Sequence, residues 1–476
     1  MYEHLATIFG GPPNVRHFRL YSEWAKHDWG IILTGNVQVS SDHLTLGRDI
    51  ILPRDLAMAK DDDLEPFRRL AHTIHGTTPS GPDGRATLAI MQLSHAGRQS
   101  INVIGGRRIL QPPIAPSQIR MGSSTCKTSL VEGLMNKILF QTPKVMKEED
   151  ILHVIDRFVD GSVFAHKAGF DGVQLHVAHG CMFFVCFPRK NLTAFSDLLS
   201  LFLSPTTNKR TDSYSCDKSL DLIQTIIDRI RAQTPKDFVI SIKLNAADYT
   251  SGSTESNLTT LEQRALQHLM TIASWATVDI IEVSGGDYET PLFMTSERSQ
   301  CRSPRQTFFT RFSHQAVKAL SSVSDSSVTS TRPMILLTGG FRTPAMLSAA
   351  LASKHADLLG IGRAAVRSPD IPTILMAQPA TQSDSAAENH ASFEPEPDLD
   401  AIRLYPPASW LWNILSRMKL AGAGADMAWH TLAMRDIAML PLIEGDKKPI
   451  VPKLNYTLGA LYCVLMMFLW RLPASN

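Results

Sequence analysis

The sequence has little net charge, few cysteines and no recognisable leader. Its 47 basic and 45 acidic residues leave a formal charge of +2 and are dispersed along the chain, so no electrostatic feature indicates a nucleic-acid partner. None of the six cysteines forms a C-x-x-C pair, and a chain of this size needs no disulfides, which favours a reducing compartment such as the cytoplasm. The N-terminus MYEHLATIFGG lacks a basic n-region and an apolar h-region, so no signal peptide is predicted.

One apolar run stands at the C-terminus. A polar linker (376–401) and a predicted helical extension (402–454) lead to residues 455–470, NYTLGALYCVLMMFLW, which carry no charge. The run has 16 residues, fewer than the ~20 that a spanning helix prefers. Two interpretations stay open: an apolar helix docked on the body, or a membrane anchor over 455–472 that tethers the protein to an intracellular membrane.

Strands and helices alternate over residues 1–375. Predicted helices separate seven apolar stretches that we interpret as buried strands: 31–39, 86–93, 172–177, 238–245, 279–286, 334–340 and 357–364. Strands of this kind are typical of a parallel sheet covered by helices. We therefore predict an α/β fold with a parallel sheet, for which a TIM barrel is one arrangement. An open doubly wound sheet is the alternative, although no G-x-G-x-x-G follows the first strand.

Four of the predicted strands end in polar or glycine residues. Gln92 and His95 follow the second strand, His176 and His179 the third, Lys243 lies near the end of the fourth, and Gly339-Gly340 ends the sixth. In a barrel, the carboxyl ends of the strands form the active face. The sequence therefore predicts a site at this face.

Eight motifs, in this order, resemble the Old Yellow Enzyme family of FMN-dependent NAD(P)H oxidoreductases. They are TGNVQV, QLSHAGRQ, AGFDGVQLHVAHG, FLSPTTNKRTDSY, IKLNAADY, VSGGDYE, LLTGG and LGIGRA. The resemblance covers about residues 1–375, and eight ordered motifs are far more specific than any one of them. It implies FMN at the mouth of a (β/α)8 barrel, and hydride transfer from NADPH or NADH through the flavin to an activated alkene.

The resemblance also implies a set of cofactor contacts, namely Gly35, Gln92, Lys243, Gly339, Gly340, Gly362 and Arg363. The amide of Gln92 offers a donor and an acceptor, which suits the pyrimidine edge of a flavin. Lys243 interrupts the apolar strand ISIKLN, where an unpaired lysine is costly. It is either a salt-bridged or snorkelling lysine, or a cation near N1 and C2=O of the flavin, which we favour.

Two late loops are candidates for holding the FMN phosphate. Gly339-Gly340 and Gly362-Arg363 follow consecutive strands and supply backbone N–H groups and a guanidinium, as phosphate binding requires. A glycine pair alone often marks only a tight turn. Two such loops after neighbouring strands favour a phosphate site.

His176 and His179 are the substrate-facing pair that the resemblance implies, donating hydrogen bonds to the carbonyl oxygen that activates the alkene. The H-x-x-H spacing also suits a metal pair, but no third ligand accompanies it at a sensible spacing. His95 is better interpreted as a structural hydrogen-bonding residue than as a catalyst.

The chain departs from the family pattern in three places. A barrel needs eight strands, and the first is missing, which we interpret as a start codon assigned too late or a truncated protein. Gly180 and Phe202 enclose 21 residues where the family has a few, so an insert at about 181–197 is expected, either a retained intron or an apolar lid. It leaves Cys181 where the family has a proton-donating tyrosine. The third departure is YSCDKSLDL (214–222), which lacks the glycine pair of the family.

Two functions are consistent with these features. The first is an FMN-dependent oxidoreductase that reduces an electron-poor C=C bond of a small α,β-unsaturated substrate, with desaturation or isomerisation by the same site left open. The second is a defective or non-enzymatic paralogue, tethered to a membrane, in which the insert blocks the pocket.

Overall fold

A parallel β-sheet forms the centre of the fold. The computed structural model describes residues 3–76, 87–120, 139–178, 197–245, 260–284, 312–321, 332–339, 341, 344–376, 419–439 and 466–469. Its strands are β1 (Ile31–Leu33), β2 (Val37–Gln38), β3 (Ile50–Ile51), β4 (Leu88–Ser94), β5 (Ile114–Ala115), β6 (Lys144–Val145), β7 (Gly172–Val177), β8 (Val239–Asn245), β9 (Ile280–Ser284), β10 (Met334–Thr338) and β11 (Leu358–Gly360). The main sheet runs β11-β10-β9-β8-β7-β4-β2-β3 with β1 also on β4, and β5 and β6 form a separate pair.

All seven predicted strands are present; β7 has its predicted ends, and the ends of the others are shifted. The stretch predicted as one strand at 31–39 is two short strands, β1 and β2, that both pair with β4 and are separated by Thr34, Gly35 and Asn36. In the described residues no strand joins β11 to β1, β2 or β3. The sheet is therefore open over this part of the chain, as the count of seven strands predicts.

Helix α1 (Val15–Ala25) and the residues after it contact the far end of the sheet. The indole N–H of Trp24 donates to the carbonyl of Ala365 at 2.8 Å. The indole of Trp29 donates to Pro369 O at 2.9 Å. Both acceptors follow β11, so these bonds connect the first and last parts of the open sheet.

Helices separate the main strands, as the sequence predicts. They are α1 (Val15–Ala25), α2 (Asp61–His75), α3 (Glu148–Lys167), α4 (Leu198–Leu203), α5 (Ser219–Gln233), α6 (Thr260–Ser274), α7 (Pro344–Ala352), α8 (Arg363–Arg367), α9 (Ile371–Met376) and α10 (Lys419–Met439), and residues 312–321 are also helical. Acidic residues fill the first turn of α3, where they favour the helix dipole. Asn14 caps α1 in a capping box with His17.

The central strands separate an apolar face from a polar face. In β7, for example, Val173 and Leu175 belong to the main hydrophobic core, together with Phe158 of α3 and Ile226 of α5. Alternate residues in a strand point to opposite sides, so the intervening polar residues share the other face. The prediction that these strands are apolar throughout was therefore wrong, because Q-L-S, Q-L-H, S-I-K and E-V-S alternate.

The described part of the C-terminal apolar run packs against the body. Arg435 of α10 is buried, and its guanidinium donates to His4 Nδ1 at 2.6 Å and to Met467 O at 2.8 Å. The side chain of Met467 is fully buried. No helix in the described ranges is long and apolar enough to cross a bilayer. Of the membrane anchor predicted at 455–472, only residues 466–469 are described. The predicted linker at 376–401 lies outside the described residues except for Met376.

Candidate active site

Polar side chains of neighbouring strands meet at the carboxyl half of the sheet. Register alone places Gln92 of β4 beside Gln174 of β7, and Lys243 of β8 beside both His176 and Glu282. These residues occupy the polar face described above. The sheet therefore gathers the predicted residues Gln92, Lys243 and His176 into one row.

Lys243 forms a buried ion pair with Glu282. Its Nζ lies 2.9 Å from Glu282 Oε1, and the two side chains are 13% and 3% exposed. Burial alone would raise the pKa of Glu282, but the Lys243 ammonium and hydrogen bonds from Gln174 and Thr338 outweigh it and hold the pKa below its ordinary value. Glu282 is therefore a carboxylate at neutral pH. Lys243 is salt-bridged, which is one of the two interpretations of this lysine from the sequence, and its contact with a flavin stays a prediction.

Gln92 and Gln174 continue the row from the carboxylate of Glu282. Gln174 Nε2 donates to Glu282 Oε2 at 2.9 Å and to the Ser241 hydroxyl at 3.1 Å. Gln174 Oε1 accepts from Gln92 Nε2 at 2.5 Å. The other amide atom of Gln92, Oε1, is buried and has no hydrogen-bond partner among the described residues. Buried acceptors of this kind are rare and indicate a ligand or water that completes the site.

His176 is held by a carboxylate that the sequence did not predict as a site residue. Its Nδ1 contacts Asp197 Oδ2, which also accepts from the Ser94 hydroxyl at 2.6 Å. Gln99 Nε2 lies 3.4 Å from the other oxygen of Asp197. A carboxylate only accepts hydrogen bonds, so the proton of this bond lies on Nδ1 of His176. Nε2 is then the ring nitrogen that is left to contact a ligand. Asp197 ends the predicted insert, yet it is fully part of this buried cluster.

The rest of the predicted insert falls outside the described residues. Cys181 belongs to this part, and His179, the second predicted substrate-binding histidine, lies outside the described residues as well. Two backbone hydrogen bonds attach the residues at the start of α4 to the sheet. The N–H of Asp197 donates to Ala178 O at 3.1 Å, and that of Leu198 donates to His95 O at 2.9 Å.

The glycine turns after β10 and β11 have unobstructed backbones. A Cβ built on Gly339 or Gly362 would meet no atom of the described residues within 4 Å, and Gly339 has a φ of 127° that side chains rarely allow. The strands that precede them pair at Thr338 and Gly360, so the two turns follow neighbouring strands. Such glycines permit a close approach of a ligand to backbone N–H groups. Gly340 lies outside the described residues, and Arg363 starts α8 with a half-buried side chain.

Gly35 has a different environment from the other predicted cofactor contacts. Its N–H points at Glu3 Oε1, 2.9 Å away, and at the Tyr21 hydroxyl oxygen, 2.7 Å away. A Cβ at Gly35 would lie 2.0 Å from Glu3 Oε2. The missing side chain thus makes room for the carboxylate of Glu3, and the N–H of Gly35 is used inside the protein.

His95 has structural hydrogen bonds, in line with its interpretation from the sequence. Its Nδ1 accepts from the N–H of Gly97 at 3.0 Å, and its ring lies against His43 with centroids 4.6 Å apart. Burial, followed by the nearby His43, lowers the pKa of His95 well below its ordinary value. His95 is therefore neutral and fixed next to the site.

The comparisons with known proteins identify the family. Residues 10–382 match the family described as NADH:flavin oxidoreductase / NADH oxidase. The NADH-dependent flavin oxidoreductase iccE of Talaromyces variabilis is 30% identical over 85% of this chain and 89% of its own length. The NADH-dependent flavin oxidoreductase iliE of Neonectria sp. (strain DH2) is 30% identical over 78% of this chain, which spans only 43% of that relative.

Two solved structures show the same fold. An Old Yellow Enzyme homologue from Zymomonas mobilis superposes with a TM-score of 0.55 at 19% identity, over 80% of this chain and 88% of that one. A 2-naphthoyl-CoA reductase complex superposes with a TM-score of 0.58 at 17% identity, over 79% of this chain and 48% of that one. The chain belongs to the NADH:flavin oxidoreductase / NADH oxidase family, whose members are FMN-dependent enzymes with NADH or NADPH as the electron donor.

Proposed function

We propose that this chain binds FMN at the carboxyl ends of its strands and transfers hydride from NADH or NADPH, through the flavin, to an electron-poor C=C bond. The observation that carries the proposal is the buried row from Gln92 to Lys243. It ends in an ammonium at one side and, at the other, in a carbonyl that has no partner among the described residues. A flavin pyrimidine edge carries an N–H group and oxygens that gain negative charge on reduction. It therefore complements both groups.

The residues of the row have separable roles in this proposal. Gln92 accepts the ring N–H through Oε1, and Lys243 places positive charge near N1 and C2=O. Gln174 holds Gln92 and Glu282 holds Lys243 by direct hydrogen bonds, and both supporting residues are almost fully buried. FMN supplies the hydride-accepting and hydride-donating chemistry when bound, and the row binds and orients it.

The phosphate end of FMN is assigned to the turns after β10 and β11. The open backbones of Gly339 and Gly362 support this assignment, with Gly340 as a third backbone donor and Arg363 as the guanidinium partner of the phosphate. The order of strands places these turns at the opposite side of the sheet from Gln92. A ligand that reaches both must lie across the carboxyl ends of the strands.

His176 and His179 are assigned to the substrate. In the described structure Asp197 fixes His176 with its proton on Nδ1, so the ring is oriented before a substrate arrives. When the ring also carries a proton on Nε2, it donates to Asp197 through Nδ1 and to the carbonyl oxygen of an α,β-unsaturated substrate through Nε2. That second hydrogen bond withdraws electrons from the alkene and stabilises the negative charge that develops as hydride is added.

Absorbance of the purified chain tests the proposal. We expect the flavin bands near stoichiometric FMN, their bleaching by NADH or NADPH, and reoxidation by a cyclic enone. A protein that stays colourless after incubation with FMN would overturn the proposal and would favour the defective paralogue. A flavoprotein that is reduced by NAD(P)H but oxidised by no enone would keep the flavin assignment and overturn the alkene as substrate.

A further inference from the structure

Four side chains on four strands form one hydrogen-bonded chain through the polar face. It runs from Gln92 on β4 to Gln174 on β7, to Glu282 on β9 and to Lys243 on β8, with links of 2.5, 2.9 and 2.9 Å. Gln92, Gln174 and Glu282 are at most 3% exposed. Buried polar chains of this kind hold one arrangement only when every donor meets an acceptor.

The carboxylate of Glu282 sets the direction of this chain. A carboxylate accepts and never donates, so Gln174 must turn its NH2 group toward Glu282. The carbonyl of Gln174 then faces Gln92 and can only accept, which turns the NH2 group of Gln92 toward it. Ser241, the other partner of Gln174 Nε2, has a hydroxyl that donates or accepts and so imposes no direction. What Gln92 has left for a ligand is its carbonyl oxygen.

We propose that Glu282 is a positioning residue that fixes the hydrogen-bonding polarity of the cofactor site through the two amides. Glu282 makes Gln92 an acceptor and holds the ammonium of Lys243 in the site through their ion pair. The site therefore selects a ring that has an N–H group next to an oxygen that becomes anionic. A cyclic imide has such an edge. This inference rests on the proposed function, since FMN is the ligand that offers such an edge there.

Removing the charge of Glu282 without changing its size should reverse the direction. In Glu282→Gln the carbonyl of the new amide stays with Lys243, so its NH2 group faces Gln174. Gln174 must then turn its carbonyl to position 282 and its NH2 group to Gln92. Gln92 turns in response and presents an NH2 group to the N–H of the flavin, so that two donors meet. A hydrogen bond replaced by such a clash weakens binding by about 10–100-fold.

The test measures the Kd of the FMN-stripped full chain for FMN and for FMN methylated at its imide nitrogen, by quenching of flavin fluorescence. The wild type should bind the methylated form at least tenfold more weakly, because that form lacks the N–H group. Glu282→Gln should weaken FMN about 10–100-fold and lose the preference between the two flavins. Ser241→Ala, which touches the same amide, should keep the preference and change the Kd for FMN less than about threefold.

Two results would overturn the inference. One is a wild type that binds both flavins equally, a comparison that needs no variant and so decides the matter if Glu282→Gln does not fold. The other is a Glu282→Gln protein that keeps the wild-type preference, because a merely structural role weakens both flavins alike. A wild type that binds neither flavin overturns the proposed function itself, and is distinguished by the absence of any quenching.

Discussion

The imidazole of His176 and the carboxylate of Asp197 share a buried hydrogen bond, although 21 positions of sequence separate them. Asp197 is held in turn by the hydroxyl of Ser94 at 2.6 Å. The pair connects the end of β7 to the start of α4. The histidine assigned to the substrate is therefore oriented by the last residue of the predicted insert.

The first prediction concerns this pair. Asp197→Asn removes the charge that keeps the proton on Nδ1 of His176, so the ring loses its fixed orientation. We expect the step in which an enone oxidises the flavin to slow by about 10–100-fold, somewhat less than the loss of a direct donor to a developing oxyanion, which costs about 10²–10³. Reduction by NAD(P)H should change little, because no substrate carbonyl takes part in that step.

Stopped-flow absorbance separates the two steps. Ser94→Ala is the matched control, since it removes a different bond to the same carboxylate and leaves that of His176. If Asp197→Asn slows both steps to the same extent, or neither, Asp197 does not act through His176.

The second prediction concerns the ion pair of Lys243 and Glu282. Lys243→Met leaves a carboxylate that is 3% exposed without its cation, and removing one partner of a buried pair typically costs about 3–5 kcal/mol in the free energy of unfolding. Since the lysine is slightly exposed, we expect the lower end of this range near neutral pH. The double variant Lys243→Met, Glu282→Gln should recover most of the loss.

The effect of Lys243→Met should also depend on pH. In the wild type the pKa of Glu282 is lowered, so its contribution to stability is present above the ordinary value of 4.5 and is lost as the pH falls through the folded-state pKa. Without Lys243, burial raises the pKa of Glu282, so protonation stabilises the variant. The stability difference measured by urea unfolding should therefore shrink as the pH is lowered. A constant difference would show that the ammonium does not interact with Glu282.

The sequence predicted those site residues that interrupt an apolar strand near its carboxyl end. Gln92, His176 and Lys243 all do so, and the structure places them in one row. Gln174 and Glu282 carry the same signal, in GVQLHV and IIEVS. Neither is predicted as a site residue, because these stretches are interpreted from the sequence as apolar strands, whereas the alternation of polar and apolar residues indicates one polar face.

Other contacts could not be predicted from local patterns. Asp197 reaches His176 only through the folding of the intervening chain, and Glu3 meets Gly35 over 32 positions of sequence. The break between β1 and β2 arises at Thr34, Gly35 and Asn36, whose residue types do permit a turn. The periodicity that predicted the strand carries no information on whether the chain takes that turn.

The third prediction concerns His17, which closes the capping box of α1. Its Nδ1 accepts from the N–H of Asn14 at 3.1 Å, and its Nε2 has no partner among the described residues. Burial, with a smaller contribution from Arg16, lowers the pKa of His17 from 6.5 to about 3. Below pH 6.5 the unfolded chain therefore binds a proton at His17 that the folded chain does not bind. The free energy of unfolding is highest above pH 6.5 and declines as the pH falls below it.

His17→Gln should remove this pH dependence while keeping a side-chain acceptor for the cap. Between about pH 7 and pH 5 the wild type should lose about 2 kcal/mol more free energy of unfolding than the variant does. Urea unfolding at several pH values measures the difference, and His72→Gln, at an exposed position of α2, is the control that should leave the slope unchanged. Equal slopes for the wild type and His17→Gln would mean that His17 is protonated in the folded chain as well.

The last prediction concerns Arg435, which attaches the C-terminal turn to the body. Its guanidinium donates to Met467 O and to His4 Nδ1, and His4 Nε2 in turn donates to Leu46 O at 3.3 Å. Burial and the Arg435 charge lower the pKa of His4, which keeps the ring neutral as this bonding requires.

Arg435→Met preserves the apolar stem but removes both donors, and leaving buried acceptors unpaired costs about 1–3 kcal/mol each. We expect the amides of residues 466–469 to exchange hydrogen faster by at least tenfold, while those of β7, in the centre of the sheet, keep their wild-type protection. Acceleration across both regions would mean instead that Arg435 stabilises the fold as a whole, and none at 466–469 would mean that the guanidinium does not hold this turn.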